Sequence, residues 1–306
     1  MTAIAIYGRT YLDAELEVPI DQLATGKGKV DVEVRPILGG FPCNAARALA
    51  GRLPADEIAI ATRIPAIDLP RLRAAVPAGT QIHAVADDTL DWPPITVIVN
   101  PASDCRLLRS GRAGDLVAAD LGELPSASVH VFGRVDASLV GDVWRAAPDA
   151  VLAWCAGASA PLSVIDACDI VCVNTAEAIA LTGIEGTTRE LATRLAEHAS
   201  PRAGSTGSSA MTGSSMSAVI RVVTGRGSAP TVAAVRTESD LQLFESAPPP
   251  IPRDQVRRLL RVGDVFAARF VVEATLDDRG QRRAAVDIQR ALVAAQAAAG
   301  EFMVRP

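Results

Sequence analysis

A long apolar run is missing from this sequence. Hydrophobic residues make up 49% of the 306 residues, but no uninterrupted stretch of them approaches the roughly 18 residues that a membrane-spanning helix needs. The first eight residues, Met1 to Gly8, carry no basic segment and no small-residue cleavage site, so a secretory signal peptide is not expected. We therefore expect a globular protein of the cytoplasm with no membrane partner.

An excess of positive charge is missing as well. The chain has 30 basic and 35 acidic residues and a formal net charge of −5. Nucleic-acid partners generally need a basic face, so none is expected here. Lysine occurs only at Lys27 and Lys29, and the other basic residues are arginine. This usage, with abundant alanine, favours a GC-rich bacterial genome as a hypothesis.

Cysteine and histidine are too scattered to indicate a disulfide framework or a zinc site. The five cysteines are an odd number and lie mostly in apolar contexts, so we expect reduced, buried thiols. The three histidines are far apart in the sequence. A Gly-x-x-x-x-Gly-Lys-Ser/Thr phosphate loop is also absent from the sequence, which excludes a P-loop nucleotide site.

Short apolar runs and helical segments alternate along most of the chain. An apolar run that ends in a turn residue is typical of a buried parallel strand. Strands are predicted at residues 3–8, 58–64, 81–86, 129–133, 150–156, 169–174, 219–224 and 231–235, and helices at residues 69–76, 137–145, 162–167, 191–198 and 284–300. This order predicts one α/β domain over residues 1–306, with a mainly parallel central sheet covered by helices on both faces.

Two groups of strands alternate apolar and polar residues, which indicates one covered face and one wet face. The first group lies at residues 16–19 and 30–35, and a turn-rich hairpin signal joins residues 94–100 to 105–108. We expect a small separate sheet within about 14–36 and 94–109, whose exposed edges are compatible with a homodimer. Residues 203–217, rich in Ser and Gly, are predicted to form a flexible surface loop.

A buried helix with a glycine and an aspartate at its start organises the C-terminal part. The segment Arg261-Val262-Gly263-Asp264 precedes the apolar run 265–272, and Arg269 and Glu273 lie four residues apart on one stripe. Free backbone N–H groups and the positive end of the dipole make a helix start an anion site, where an aspartate stays ionised and can accept a proton. Asp264 also fits a simple helix cap.

A double glycine, Gly39-Gly40, is followed by Asn44 at the start of an alanine-rich helix. Two glycines allow the backbone to approach a ligand closely, and an asparagine offers both a donor and an acceptor. The same pattern fits an ordinary turn followed by a cap. Asp13, just beyond the first strand, is the acidic residue upstream of this motif.

Two further motifs follow strands in the second half of the chain. Asn174 lies at a strand end and Glu177 lies one turn into a helix, a spacing that also fits a capping box. The segment Thr224-Gly225-Arg226-Gly227 follows the next strand. It does not match a dinucleotide-binding loop, because Pro230 occupies the third glycine position and the following residues read as a strand.

In their order and spacing these motifs resemble those of the ribokinase-like (PfkB-type) sugar and nucleoside kinases. The family's Gly-Ala-Gly-Asp motif is matched at Gly263 and Asp264, and its Gly-Gly motif with a following asparagine is matched at residues 39–44. Its Asn-x-x-Glu motif is matched at Asn174 and Glu177. The resemblance covers almost the whole chain. It implies a ribokinase-like fold in which the small separate sheet is a lid, and the last helix borders the adenine pocket.

The resemblance also implies an activity, namely transfer of phosphate from ATP, with Mg²⁺, to a hydroxyl group of a sugar or nucleoside. Asp264 would be the catalytic base and Gly263 part of the anion hole. The implied substrate-binding residues are Asp13, Gly39, Gly40 and Asn44. The implied nucleotide- and phosphate-binding residues are Asn174, Glu177, Thr224, Gly225, Gly227, Arg261 and Val262, with Glu177 also acting on the magnesium ion through water.

The chain departs from the family motif at Arg261 and Val262, which stand where the first Gly-Ala would be. A non-glycine residue forced into a left-handed conformation costs about 1–3 kcal/mol. An arginine at this place could instead stabilise the transferred phosphoryl group. Two hypotheses follow from the sequence: an active kinase, or a degenerate relative that binds a sugar, nucleoside or nucleotide without turnover.

Overall fold

The secondary structure follows the predicted alternation of strands and helices. A computed structural model describes residues 2–16, 35–87, 95–99, 106–110, 115–155, 162–199, 218–283 and 286–305. The strands are β1 (Thr2–Tyr7), β2 (Tyr11–Leu16), β3 (Arg35–Gly39), β4 (Ile58–Ile64), β5 (Gln81–Ala86), β6 (Ile95–Val99), β7 (Arg106–Ser110), β8 (Ala127–Phe132), β9 (Val151–Trp154), β10 (Ile170–Asn174), β11 (Val219–Thr224), β12 (Thr231–Arg236) and β13 (Leu241–Ser246). The helices are α1 (Phe41–Leu49), α2 (Leu69–Ala75), α3 (Ala118–Leu121), α4 (Ala137–Ala146), α5 (Leu162–Asp166), α6 (Thr175–Thr182), α7 (Thr188–His198), α8 (Val262–Thr275) and α9 (Ile288–Val304).

A nine-stranded sheet forms the centre, in the order β13-β12-β11-β10-β9-β8-β1-β4-β5. The seven strands from β11 to β5 are parallel to one another, whereas β12 and β13 add to the β11 edge in antiparallel register. The prediction of a mainly parallel central sheet is therefore confirmed. Because the parallel strands share one direction, their carboxyl ends all meet at one edge of the sheet, where ligands bind in folds of this type.

Helices cover both faces of this sheet, as predicted. Alternate residues of β1 belong to different hydrophobic clusters: Ile4 and Ile6 pack with α1, α8 and α9, whereas Ala5 and Tyr7 pack with α4 and α7. Every residue of β1 is buried. A strand that is apolar on both faces is what a central parallel position requires.

A second, four-stranded sheet has the order β3-β2-β6-β7. Its strands overlap the two segments that the sequence assigned to a separate sheet, with β2 and β3 antiparallel and β2 and β6 parallel. The bounds differ from the prediction: β2 begins at Tyr11, so Asp13 lies inside this strand, and β3 continues to Gly39. The turn expected at 101–104, most of residues 16–19 and 30–35, and the Ser/Gly-rich segment 203–217 lie outside the described residues.

The last helix begins later than predicted, at Ile288 rather than residue 284. The Asp287 side chain accepts a hydrogen bond from the Arg290 backbone N–H at 3.0 Å, and this cap fixes the start. Strand β13 was not predicted. The four cysteines within the described residues are buried, and none of them forms a disulfide bond. None of the helices in the described part of the chain has the length and hydrophobicity to span a bilayer.

A buried carboxylate fixes the position of α8. Glu273, in the last turn of α8, has only 5% of its side chain exposed and accepts a bond from Arg52 Nε at 2.7 Å. Arg269, one turn earlier, contacts the same carboxylate at 3.1 Å, and Arg283 approaches it at 3.8 Å. The predicted stripe of Arg269 and Glu273 is thus an ion pair within a larger network. Arg52 connects the end of α1 to the end of α8.

Replacing Glu273 by Ala should therefore destabilise the protein by about 3–5 kcal/mol, because it leaves guanidinium groups in a poorly solvated place without their carboxylate. Urea unfolding of the variant and the parent measures this loss. The matched control is Glu245→Ala, which breaks the more exposed pair with Arg189 and should cost no more than about 1 kcal/mol. Equal losses in the two variants would contradict a structural role for Glu273.

Candidate active site

The candidate site lies at the carboxyl edge of the central sheet. Strands β10 and β11 end there in register, with Asn174 opposite Thr224. Helix α8 begins near the same edge, and the carboxylates of Asp13 and Glu177 both act on the pKa of Asp264. Residues from distant parts of the sequence are therefore close enough to interact electrostatically, as the motifs require.

The start of α8 leaves its first backbone N–H groups without a side-chain cap. Arg261 occupies the N-cap position with φ 70° and ψ −4°, and its side chain does not cap the helix. Gly263 is exposed, and a Cβ built on it would meet no atom within 4 Å. The amides of Val262 and Gly263 thus begin a long helix beside open space, which is the arrangement that binds anions.

Asp264 is not a helix cap. It lies in the first turn of α8, and its Oδ2 accepts a hydrogen bond from Asn44 Nδ2 at 2.7 Å. Asn44 is oriented in turn by Arg47, whose Nη2 donates to Asn44 Oδ1 at 2.7 Å and to the Leu38 carbonyl at 3.1 Å. The carboxylate of Asp264 is therefore held by a chain of hydrogen bonds that starts in α1 and β3.

The pKa of Asp264 is raised to about 6, mainly because the surrounding protein removes the carboxyl group from water. The hydrogen bond from Asn44 and the charge of Arg261 lower this pKa, and the charges of Asp13 and Glu177 raise it. An aspartate with a pKa near 6 is ionised at neutral pH and is a stronger base than an ordinary aspartate. Such a shift is typical of a general base.

Arg261 pairs with Asp13 across the site, with Arg261 Nη2 3.0 Å from Asp13 Oδ2. The glycines beside this pair are required by close approach: a Cβ on Gly39 would lie 2.1 Å from Asp13 Oδ2, and a Cβ on Gly40 would lie 2.2 Å from the Arg9 carbonyl oxygen. Gly40 also has φ 90°, which favours glycine. The predicted substrate residues Asp13, Gly39, Gly40 and Asn44 are thus brought together.

Asn174 and Glu177 form a capping box at the start of α6. Glu177 N donates to Asn174 Oδ1 at 2.9 Å, and Asn174 N donates to Glu177 Oε2 at 2.9 Å. The capping box that the sequence allowed as an alternative is therefore present. Both residues nevertheless lie at the edge of the candidate site. No group of three or more His, Cys, Asp or Glu side chains in the described part of the chain is arranged to hold a metal ion. A magnesium ion held by phosphates and water, with Glu177 acting through water, needs no such group.

Thr224 and its following turn lie next to this capping box. Thr175 Oγ1 donates to the Thr224 carbonyl at 3.0 Å, which ties the start of α6 to the end of β11. The chain then turns back through Gly225 and Gly227 into β12, and a Cβ on Gly225 would meet the Ala229 carbonyl oxygen at 2.3 Å. The predicted phosphate-binding residues Asn174, Thr224 and Gly225 therefore lie at the ends of two adjacent strands, β10 and β11.

Sequence reasoning did not identify Arg47, which orients Asn44. An arginine in an alanine-rich helix is common, so the residue type alone does not indicate a functional role. The spacing does indicate the contact, because Arg47 follows Asn44 by three residues and therefore lies on the same helix face.

The hydrogen bond from Asn44 should be measurable through the pKa of Asp264. In Asn44→Ala this pKa should rise above about 6 by roughly one unit, because the bond stabilises the ionised form. Carbon-13 NMR titration of the aspartate carboxyl groups measures the change. The control is Gln296→Ala, whose amide bonds to Thr231 rather than to an acid. An unchanged pKa in Asn44→Ala would contradict the proposed coupling.

The fold is shared with known kinases of low sequence similarity. No protein-family model matches the chain, and no curated protein matches its sequence. Adenosine kinase from Anopheles gambiae is similar in structure, with TM-score 0.73, 17% identity, and coverage of 100% of this chain and 96% of that one. Adenosine kinase from Schistosoma mansoni, in complex with 2-fluoroadenosine, has TM-score 0.71, 17% identity, and coverage of 99% and 96%. Ribokinase from Thermotoga maritima has TM-score 0.67, 14% identity, and coverage of 100% and 94%. The chain therefore has the ribokinase-like fold, as its motifs predicted.

Proposed function

We propose that this protein transfers a phosphoryl group from ATP to a hydroxyl group of a sugar or nucleoside, with Asp264 as the general base. The observation that carries the proposal is the start of α8. There a carboxyl group with a pKa of about 6 lies in the same helical turn as amides that the N-cap side chain does not cap, beside the open space at Gly263. A base and an anion site within one turn are what phosphoryl transfer to an alcohol requires. The solved structures of adenosine kinase and ribokinase with the same fold support this class of acceptor.

The chemistry divides between Asp264 and the helix start. Asp264 takes the proton of the acceptor hydroxyl as its oxygen forms a bond to the phosphorus of the terminal phosphate. The bond from that phosphorus to the bridging oxygen breaks, and ADP takes the electron pair. The amides of Val262 and Gly263 hold the negative charge on the transferred group, and the Arg261 guanidinium adds a positive charge beside it.

The nucleotide and magnesium side is assigned to the ends of β10 and β11. Thr224, Gly225 and Gly227 form the turn next to the phosphate region, and Asn174 and Glu177 begin the neighbouring helix. Glu177 is partly exposed, and its Oε2 accepts the Asn174 backbone N–H at 2.9 Å, so the carboxylate can act on a hydrated ion through water. ATP supplies the phosphoryl group, and Mg²⁺ neutralises phosphate charge when both are bound.

The acceptor is assigned to the space bordered by Asp13, Gly39, Gly40 and Asn44. Asp13 lies on β2, and in this proposal the four-stranded sheet acts as a lid over the acceptor. The edge strands of that sheet, β3 and β7, are also the place for the proposed homodimer contact.

Asp264→Asn should lower turnover by roughly 10² to 10⁴ while leaving ADP affinity nearly unchanged, because only proton acceptance is lost. Coupled measurement of ADP release over a panel of sugars and nucleosides, with calorimetry for ADP, tests this. In the parent protein kcat/KM should fall about tenfold per pH unit below pH 6, where the carboxyl becomes protonated. A variant as active as the parent, with the same pH profile, would rule out Asp264 as the base.

Arg261→Gly should lower turnover by a factor of at least about ten, because it removes the positive charge beside the phosphoryl group. Arg261→Lys is the matched control: it keeps the charge and should retain more activity than the glycine variant. Steady-state kinetics with the best acceptor measures both. A parent protein inert toward every acceptor, with activity gained only in Arg261→Gly, would identify a binding protein and overturn the proposal.

A further inference from the structure

A second cleft lies between α1, α8 and α9, and its lining includes Asn44 and Arg261. Its volume is about 550 Å³, which is large enough for a small metabolite. Five arginines line it, and Glu301 is the one carboxylate among the lining residues that the structure describes. The arginines are Arg47, Arg258, Arg261, Arg269 and Arg305.

Arg269 illustrates how the guanidinium groups of this cleft are held. Its carboxylate partner, Glu273, lies behind it and also contacts Arg52 and Arg283, and Arg52 in turn lies 3.6 Å from Asp278. Arg269 Nε is a buried donor for which no described residue provides an acceptor. Glu301 approaches Arg305 at 3.6 Å, but both side chains are about 70% exposed, so water and salt weaken that pair.

The remaining wall offers few polar groups. It is formed largely by alanines of α1 and α9, including Ala48, Ala294 and Ala298, and by Phe302. The Arg258 guanidinium lies 5.8 Å from the centre of the Phe302 ring, which holds it near the cleft. Recognition of a ligand therefore depends on the guanidinium groups. Guanidinium groups bind phosphate oxygens in pairs of parallel hydrogen bonds.

We propose that this cleft binds a small molecule carrying two or more phosphate groups, as a site separate from the proposed nucleotide site. Several arginines around one cavity favour a multiply charged anion, since a single phosphate reaches only some of them. The cavity volume favours a small molecule over a nucleic acid as the ligand. The proposal concerns binding only, so its test does not depend on whether the protein is an active kinase.

The cleft shares two residues with the candidate active site. Asn44 bonds to Asp264, and Arg261 pairs with Asp13, while both residues also line the cleft. An anion in the cleft therefore competes with Asp13 for the Arg261 guanidinium. By linkage, occupancy of the cleft and the state of the acceptor site must affect each other equally.

Calorimetry with inorganic pyrophosphate, at constant ionic strength and without an acceptor, tests the proposal. The parent protein should bind pyrophosphate at least tenfold more tightly than orthophosphate. Arg258→Gln should weaken pyrophosphate binding about tenfold, and Arg305→Gln several-fold, because each removes one charge from the cleft. Glu301→Gln should tighten binding, since it removes the opposing charge.

Arg290→Gln is the matched control, because Arg290 lies on α9 outside the cleft lining and faces Asp278. It should leave pyrophosphate affinity unchanged. Pyrophosphate bound only at the proposed nucleotide site would be insensitive to the changes at Arg258, Arg305 and Glu301. That outcome, or a parent protein that does not bind pyrophosphate, would overturn the proposal while leaving the proposed kinase activity untouched.

Discussion

The left-handed backbone of Arg261 is the constraint on which the rest of the site depends. It is the single non-glycine residue with positive φ among those that the structure describes. This conformation leads the chain into α8, whose first turn has open space at Gly263 and places Asp264 in contact with Asn44. A side chain in this conformation costs about 1–3 kcal/mol. The ion pair with Asp13, in which both side chains are about nine-tenths buried, offsets part of this cost.

Packing and ion pairs along the rest of α8 fix the position of its first turn. Phe266 and Phe270 stack with ring centres 6.1 Å apart inside the core, and Glu273 ties the last turn to Arg52 and Arg283. A helix packed on nearly every side cannot shift without opening a cavity or separating buried charges. The position of Asp264 is therefore set by packing two turns away. A site prepared in this way needs little reorganisation when charge develops.

Local patterns were sufficient for most of the fold but for only part of the site. Strands β4 and β11 occupy the predicted residues, because a buried parallel strand appears in the sequence as an apolar run between turns. Strand β13 was not predicted from the sequence, because it is an edge strand whose partly exposed residues do not form a continuous apolar run. The motifs located Asn44 and Asp264, yet no local signal pairs Arg261 with Asp13, since 248 residues separate them. Contacts of that kind depend on topology and become visible only when the chain is folded.

The Arg261 substitution is better understood as a change of charge than as damage to the backbone. Arg261 adopts a left-handed conformation of the kind that favours glycine, and α8 begins there with an arginine at the N-cap. What changes is the electrostatics: the guanidinium lies against Asp13 and lowers the pKa of Asp264. Because a carboxylate can accept about four hydrogen bonds, Asp13 can hold Arg261 and an acceptor hydroxyl together. Under the proposed function and the proposed cleft ligand, the same guanidinium would serve the acceptor, the phosphoryl group and the arginine-lined cleft, and Arg261 would couple the three.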